Sequence, residues 1–116
     1  MEKVTIYHNP KCSKSRQTLQ LLRERGIEPI IVEYLKQPLN ASQIKKVLKM
    51  LQLGPRELMR KKESEYKDLN LADNKLSQDS LINAMAEHPI LMERPIVVVG
   101  SKAVLGRPPE NVLEIL

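Results

Sequence analysis

Cys12 is the only cysteine of the chain, and its neighbours favour the ionised thiol. Val4-Thr5-Ile6-Tyr7-His8 reads as a strand, Asn9-Pro10-Lys11 as a turn, and Ser13 onward as a helix. Cys12 then lies at the helix mouth. Free backbone N–H groups and the positive end of the helix dipole stabilise a thiolate there, and Lys11, Lys14 and Arg16 add positive charge. A free thiol ionises near pH ~8.5, and such surroundings lower that by roughly one to several units. A lone cysteine is commonly a buried, inert one, but these flanks are polar and basic rather than apolar. His8 would favour the thiolate further as an imidazolium, or else it stands in solvent at the strand end.

Ser15 holds the place three residues on, where a paired redox centre would carry its second cysteine. Oxidised Cys12 therefore cannot close a disulfide within the chain, and an outside thiol must resolve it. Ser15 could hydrogen-bond the thiolate, or simply satisfy backbone groups of the first helical turn. His8 and His88 with one cysteine have neither the count nor the spacing of a metal site.

The elements that must position these residues follow from pattern. Leu19, Leu22 and Ile27 mark the inner side of the first helix and its exit, with Gly26 at C′. Ile30-Ile31-Val32-Glu33-Tyr34 reads as a second strand, and a strand–helix–strand unit of this size implies a right-handed crossover with parallel pairing. From about 37 to 88 the pattern is helical, with no good strand. Asn40 caps a helix with Gln43 as its partner, Ile44, Val47, Leu48 and Leu51 follow at helical spacing, and Gly54 is expected to end the run. Pro55 suits the first turn of a short helix bearing Leu58 and Met59. Ser77 caps another, with Leu81, Ile82 and Met85 on its apolar side and Pro89 closing it. Ile96-Val97-Val98-Val99 reads as a strand buried on both faces. Gly100-Ser101 turns it into Ala103-Val104-Leu105, and Pro108-Pro109 open an expected last helix. The order is βαβ, a helical insert at about 37–88, then ββα: one α/β domain over residues 1–116.

The bulk numbers narrow the partners. The chain has 116 residues, 41% of them hydrophobic but only 3% aromatic, so aliphatic side chains must build the core. The net charge of +5 is compatible with an anionic ligand, but solubility alone is the simpler reading of it. Nucleic-acid binding has no support, because aromatics do not cluster and no zinc-finger or RNP pattern occurs. No run reaches membrane-spanning length, and the first residues are too polar for a signal peptide, so no membrane association is expected. An unpaired thiol survives best in a reducing compartment, which points to the cytoplasm.

His8-Asn9-Pro10-Lys11-Cys12-Ser13-Lys14-Ser15-Arg16, followed by Thr18-Leu19, resembles the active-site segment of the glutaredoxin-dependent, single-cysteine arsenate reductases. His88-Pro89-Ile90-Leu91 with Arg94-Pro95-Ile96-Val97-Val98 resembles that family's second signature, and Gly106-Arg107-Pro108 its third. Leu58-Met59-Arg60-Lys61 falls where the family carries an arginine on its helical insert. The resemblance implies a thioredoxin-like fold with a mixed four-stranded sheet. It implies reduction of arsenate to arsenite through an adduct on Cys12, with glutathione as co-substrate, glutaredoxin as partner and no bound cofactor. It makes His8 and Ser15 thiolate-stabilising residues and Arg60, Arg94 and Arg107 oxyanion ligands, with Arg16 as a weaker candidate. A guanidinium suits that task, since its planar fork matches two oxygens and its charge does not titrate away. Read singly, each of these arginines would pass for a solvated surface residue. Pro95 falls where thioredoxin-like folds place a cis proline, so a cis Arg94–Pro95 bond is expected, aiming Arg94 at Cys12. Lys11, Ser13 and Lys14 depart from the smaller or less basic residues of the resistance enzymes and make the site mouth more cationic. Two other readings are a redox-sensing transcriptional regulator that binds RNA polymerase, and a thiol oxidoreductase acting on glutathione mixed disulfides without arsenate.

Overall fold

Strand order decides which loops meet. The computed structural model describes residues 3–116. In it the strands β1 (Val4–His8), β2 (Ile30–Glu33), β3 (Ile96–Val99) and β4 (Lys102–Leu105) form one sheet in the order β2-β1-β3-β4. β1 and β2 are parallel, as the intervening helix α1 (Ser13–Glu24) requires, whereas β1–β3 and β3–β4 are antiparallel. The sheet is therefore mixed. Tyr7 pairs with Ile96, and Ile96 pairs with Leu105. That register brings the exit of β1, the entry to β3 and the exit of β4 to one end of the sheet.

Two units make up the fold. The sheet unit takes the chain up to Gln37 and again from Arg94 to Leu116, and the helical unit takes Pro38–Glu93. In the sheet unit, Ile6, Leu22, Val97, Val99 and Val112 form a buried aliphatic cluster, with Val4, Leu19, Leu21, Ile27, Val104 and Ile115 packed against it. β3 is central and buried except at Val98. β2 is an edge strand, and Ile30 and Ile31 are 50% and 37% exposed. Tyr34 lies beyond β2 in a turn and is buried. Gly26, just past α1, has φ +76, and Gly100, the first central residue of the β3–β4 turn, has φ +61; a side chain would be strained at both.

The helical unit holds α2 (Ala41–Leu51), α3 (Pro55–Leu58), α4 (Ser64–Asp68) and α5 (Gln78–Glu87). The capping box on α2 is reciprocal: Asn40 Oδ1 accepts from the Gln43 N–H at 2.8 Å, and Gln43 Oε1 from the Asn40 N–H at 2.9 Å. α2 stops before Gly54. Gln52 takes the left-handed conformation at φ 59, and the Leu53 N–H closes back on the Leu48 carbonyl at 3.1 Å. Gly54 instead caps α3, donating its N–H to Glu57 Oε1 at 2.9 Å. Pro89 ends α5 and also opens a 3₁₀ turn, Pro89–Leu91.

The last helix differs from expectation: Pro109–Glu114 winds as 3₁₀, not α. The six residues begin at the second of two prolines, and short 3₁₀ pieces serve such connections. Asn111 ties it to β4 by donating to the Leu105 and Arg107 carbonyls at 3.4 and 3.2 Å. Among the described residues no helix is long and apolar enough to cross a membrane.

Leu22 is fully buried beneath α1. Leu22→Ala is expected to lower the unfolding free energy by about 3 kcal/mol in a urea titration. A loss below about 1 kcal/mol would mean that the cluster does not anchor the helix carrying Cys12.

Candidate active site

Three segments converge at the shared sheet end. Cys12 is the N-cap residue of α1, in extended conformation, and is partly exposed. Its N–H donates to the Asn9 carbonyl at 3.0 Å, which closes the turn. Asn9 is buried, and its Oδ1 accepts from the Lys11 N–H at 3.0 Å while its own N–H donates to Ser15 Oγ at 3.0 Å. The turn is thus held by Asn9 from three sides.

Burial pushes the Cys12 thiol up, but the opposing influences win and it lies below its ordinary value. Those influences are the Ser15 N–H, hydrogen bonding and charge from Arg94, and the Lys14 N–H. Lys14 thus acts on the sulfur through its backbone N–H.

Arg94 and Arg107 come from opposite sides of the β3–β4 hairpin. Arg94 precedes β3 and is 9% exposed, and its buried Nε and Nη1 bond no protein acceptor. Arg107 follows β4 and is exposed; its Nη1 lies 3.8 Å from Cys12 Sγ and donates to the Arg94 carbonyl at 3.1 Å. Each arginine directly precedes a proline in a cis bond, Arg94–Pro95 and Arg107–Pro108. The second cis bond had no separate signal in the sequence.

His8 departs from both of its expectations. It is buried, and its Nδ1 lies 2.6 Å from Ser15 Oγ. Burial holds the imidazole below its ordinary value; Glu33 pulls it up, and Arg23 and Arg16 push it down. His8 is therefore neutral at neutral pH and supplies no imidazolium to the sulfur. Its partner is Ser15. The Ser15 hydroxyl is in turn spent on His8 and Asn9, so that residue serves the thiolate through its backbone N–H.

Arg16 is exposed, and its Nη1 donates to the Pro10 carbonyl at 3.0 Å, bracing the turn. Arg60 belongs to the helical unit, where its guanidinium meets Glu63 at 3.2 Å and Glu93 at 3.4 Å. The sheet unit thus brings together Cys12, Ser15, His8, Arg94 and Arg107. Asn9, Thr18 and Gly106 also belong to this region, though only their place in the motif strings drew attention to them. Among the described residues no group of three or more His, Cys, Asp or Glu is placed to hold a metal ion.

The ArsC family matches residues 7–115. The chain belongs to that family. It is 58% identical over 116 residues to the uncharacterized protein YfgD of Escherichia coli (strain K12), covering 99% of this chain and 98% of that one. It is 52% identical over 114 residues to an arsenate reductase of Haemophilus influenzae, covering 97% and 98%. The solved structure of an arsenate reductase from Vibrio cholerae superposes with a TM-score of 0.97 at 54% identity, over 99% of this chain and 98% of that one. The ArsC assignment fixes the fold as thioredoxin-like, with the mixed four-stranded sheet described above.

Alkylation of Cys12 by iodoacetamide should show a pH midpoint below the ~8.5 of a free thiol. Arg94→Gln should raise that midpoint; an unchanged one would remove Arg94 from the set that holds the thiolate.

His8 carries a second pH effect. Its native pKa is depressed, so on acidification the unfolded chain takes up the proton first, near pH ~6.5. Stability should fall as pH drops from there to the lower native value, then level off with respect to this group. His8→Gln should flatten that part of a urea-midpoint profile between pH 7.5 and 5.

Proposed function

We propose that this chain reduces arsenate to arsenite through a covalent adduct on Cys12, with glutathione and glutaredoxin supplying the electrons. The observation that carries the reading is the buried Arg94 guanidinium beside the sulfur, with two N–H groups unmatched by any protein acceptor. Leaving such donors unbonded costs about 1–3 kcal/mol each, and more for charged groups, so the position is suited to an anion. Arg107 adds a second, solvent-facing guanidinium within reach of the same sulfur. Relatives at about half identity bear the name arsenate reductase.

Each step balances. The Cys12 thiolate attacks arsenic, and one arsenate oxygen leaves as water after taking up protons, giving an S–As(V) adduct. Arg94 and Arg107 neutralise the remaining oxygens while arsenic gains its fifth ligand. Glutathione then replaces a second oxygen, again with loss of water. The glutaredoxin thiolate attacks the glutathione sulfur. The pair of electrons in the As–S bond stays on arsenic, which becomes As(III), and a glutathione–glutaredoxin disulfide departs. Water releases arsenite and restores the thiol. Ser15 in place of a second cysteine is the reason that both electrons must come from outside. A reducing compartment such as the cytoplasm supplies those thiols and keeps Cys12 free.

The test is arsenate-dependent NADPH oxidation with glutathione, glutathione reductase and glutaredoxin. Cys12→Ser should abolish it, and Arg107→Ala should lower kcat/KM for arsenate about tenfold to a hundredfold, as loss of a charged hydrogen bond does. Turnover no greater than that of Cys12→Ser, alongside turnover of a glutathionylated peptide, would assign the site to mixed-disulfide chemistry instead.

A further inference from the structure

Thr18 is fully buried one turn inside α1, yet no step above uses it. Its Oγ1 lies 2.8 Å from the Lys14 carbonyl and 3.3 Å from the Gly106 carbonyl, so its single proton is shared between two chain segments. Lys14 is one of the residues whose N–H faces Cys12. Gly106 directly precedes Arg107, and its N–H donates to the Pro95 carbonyl at 3.0 Å. Pro95 directly follows Arg94.

The packing is as close as the bonding. A Cβ added at Gly106 would lie 2.5 Å from Thr18 Oγ1, 2.8 Å from Pro95 Cγ and 3.0 Å from Thr18 Cγ2. Gly106 has no positive φ to explain it, so space alone requires glycine there. Thr18, Pro95 and Gly106 therefore meet with no room for a further carbon. From this point the chain runs along α1 to Cys12, back one residue to Arg94 and forward one residue to Arg107.

We infer that Thr18 is a positioning residue, a buried clamp that sets the spacing between the Cys12 sulfur and the guanidinium groups of Arg94 and Arg107. The hydroxyl ties the helix to the β4 exit, and the methyl fills the gap beside Gly106. The use made of that spacing, grip on an oxyanion, rests on the activity proposed above; the clamp itself does not.

Two readouts separate the claims. The first is the pH midpoint of Cys12 alkylation, which needs no arsenate. Thr18→Val keeps the branched shape and removes the hydroxyl. It should raise the midpoint by about half a unit, or about threefold less thiolate at acid pH. Thr18→Ala, which favours the helix, should do the same and serves if Thr18→Val does not fold. Thr18→Ser keeps the hydroxyl and loses only the methyl, so its rise should be smaller than that of Thr18→Val. Val112→Ala destabilises the same core without touching the clamp, and should leave the midpoint in place. A wild-type midpoint in Thr18→Val or Thr18→Ala, or an equal rise in Val112→Ala, would overturn the clamp. The second readout is protection of Cys12 from alkylation by inorganic arsenate. Thr18→Val should need severalfold more arsenate for half protection. If arsenate protects not even the wild type, the oxyanion reading fails, while the midpoint still decides the clamp.

Discussion

A half-buried thiol made more acidic in spite of its burial is the constraint on which the sheet unit depends. Burial alone would protonate Cys12, since a charge in low dielectric is costly. Directed groups reverse that: two backbone N–H groups at the start of α1 and the Arg94 guanidinium. All of them are fixed donors. A mobile surface lysine could add charge, but it could not offset desolvation at a defined atom. The surroundings are accordingly rigid, with Asn9 binding the turn from three sides and Ser15 locked between His8 and Asn9.

The topology supplies the rest. Because β3 and β4 both run antiparallel to their neighbours in the sequence β1-β3-β4, the residues before β3 and after β4 fall beside the exit of β1. Two guanidinium groups thirteen residues apart thereby face one sulfur. Their roles differ. Arg94 is enclosed and stabilises charge in low dielectric, whereas Arg107 is open to solvent and can meet an arriving anion. Arg60 lies on the helical unit, engaged by two carboxylates there, and is bonded in a different manner from the other two.

Much of the fold was legible in local chemistry. The Asn40–Gln43 capping box, the Ser77 cap, Pro55 in a first turn and the continuous β-branched run of β3 each state their structure in a few residues. The readings that differ from the structure do so for separate reasons. Gln52 enters the left-handed region where glycine was expected to, because the Leu53 N–H bonds back to Leu48 and compensates. His8 ends its strand, which suggests solvent, yet its neighbours bury it and remove its charge. The first case turns on a bond within one helix end, and the second on burial by packed neighbours.

By itself, the sequence determined that the chain has one cysteine, that it lies at a helix mouth and that it has no partner in the chain for a disulfide, because these rest on residue type and nearest neighbours. It also carried the family motifs that single out Arg60, Arg94 and Arg107 from the other arginines. Only the tertiary structure decided which groups lower the Cys12 pKa, that His8 is neutral and spent on Ser15, and that Thr18 meets Gly106 and Pro95 without spare room. Those outcomes depend on desolvation and on contacts between segments some eighty or more residues apart, such as Thr18 with Gly106. Neither quantity exists until the strands have taken their order.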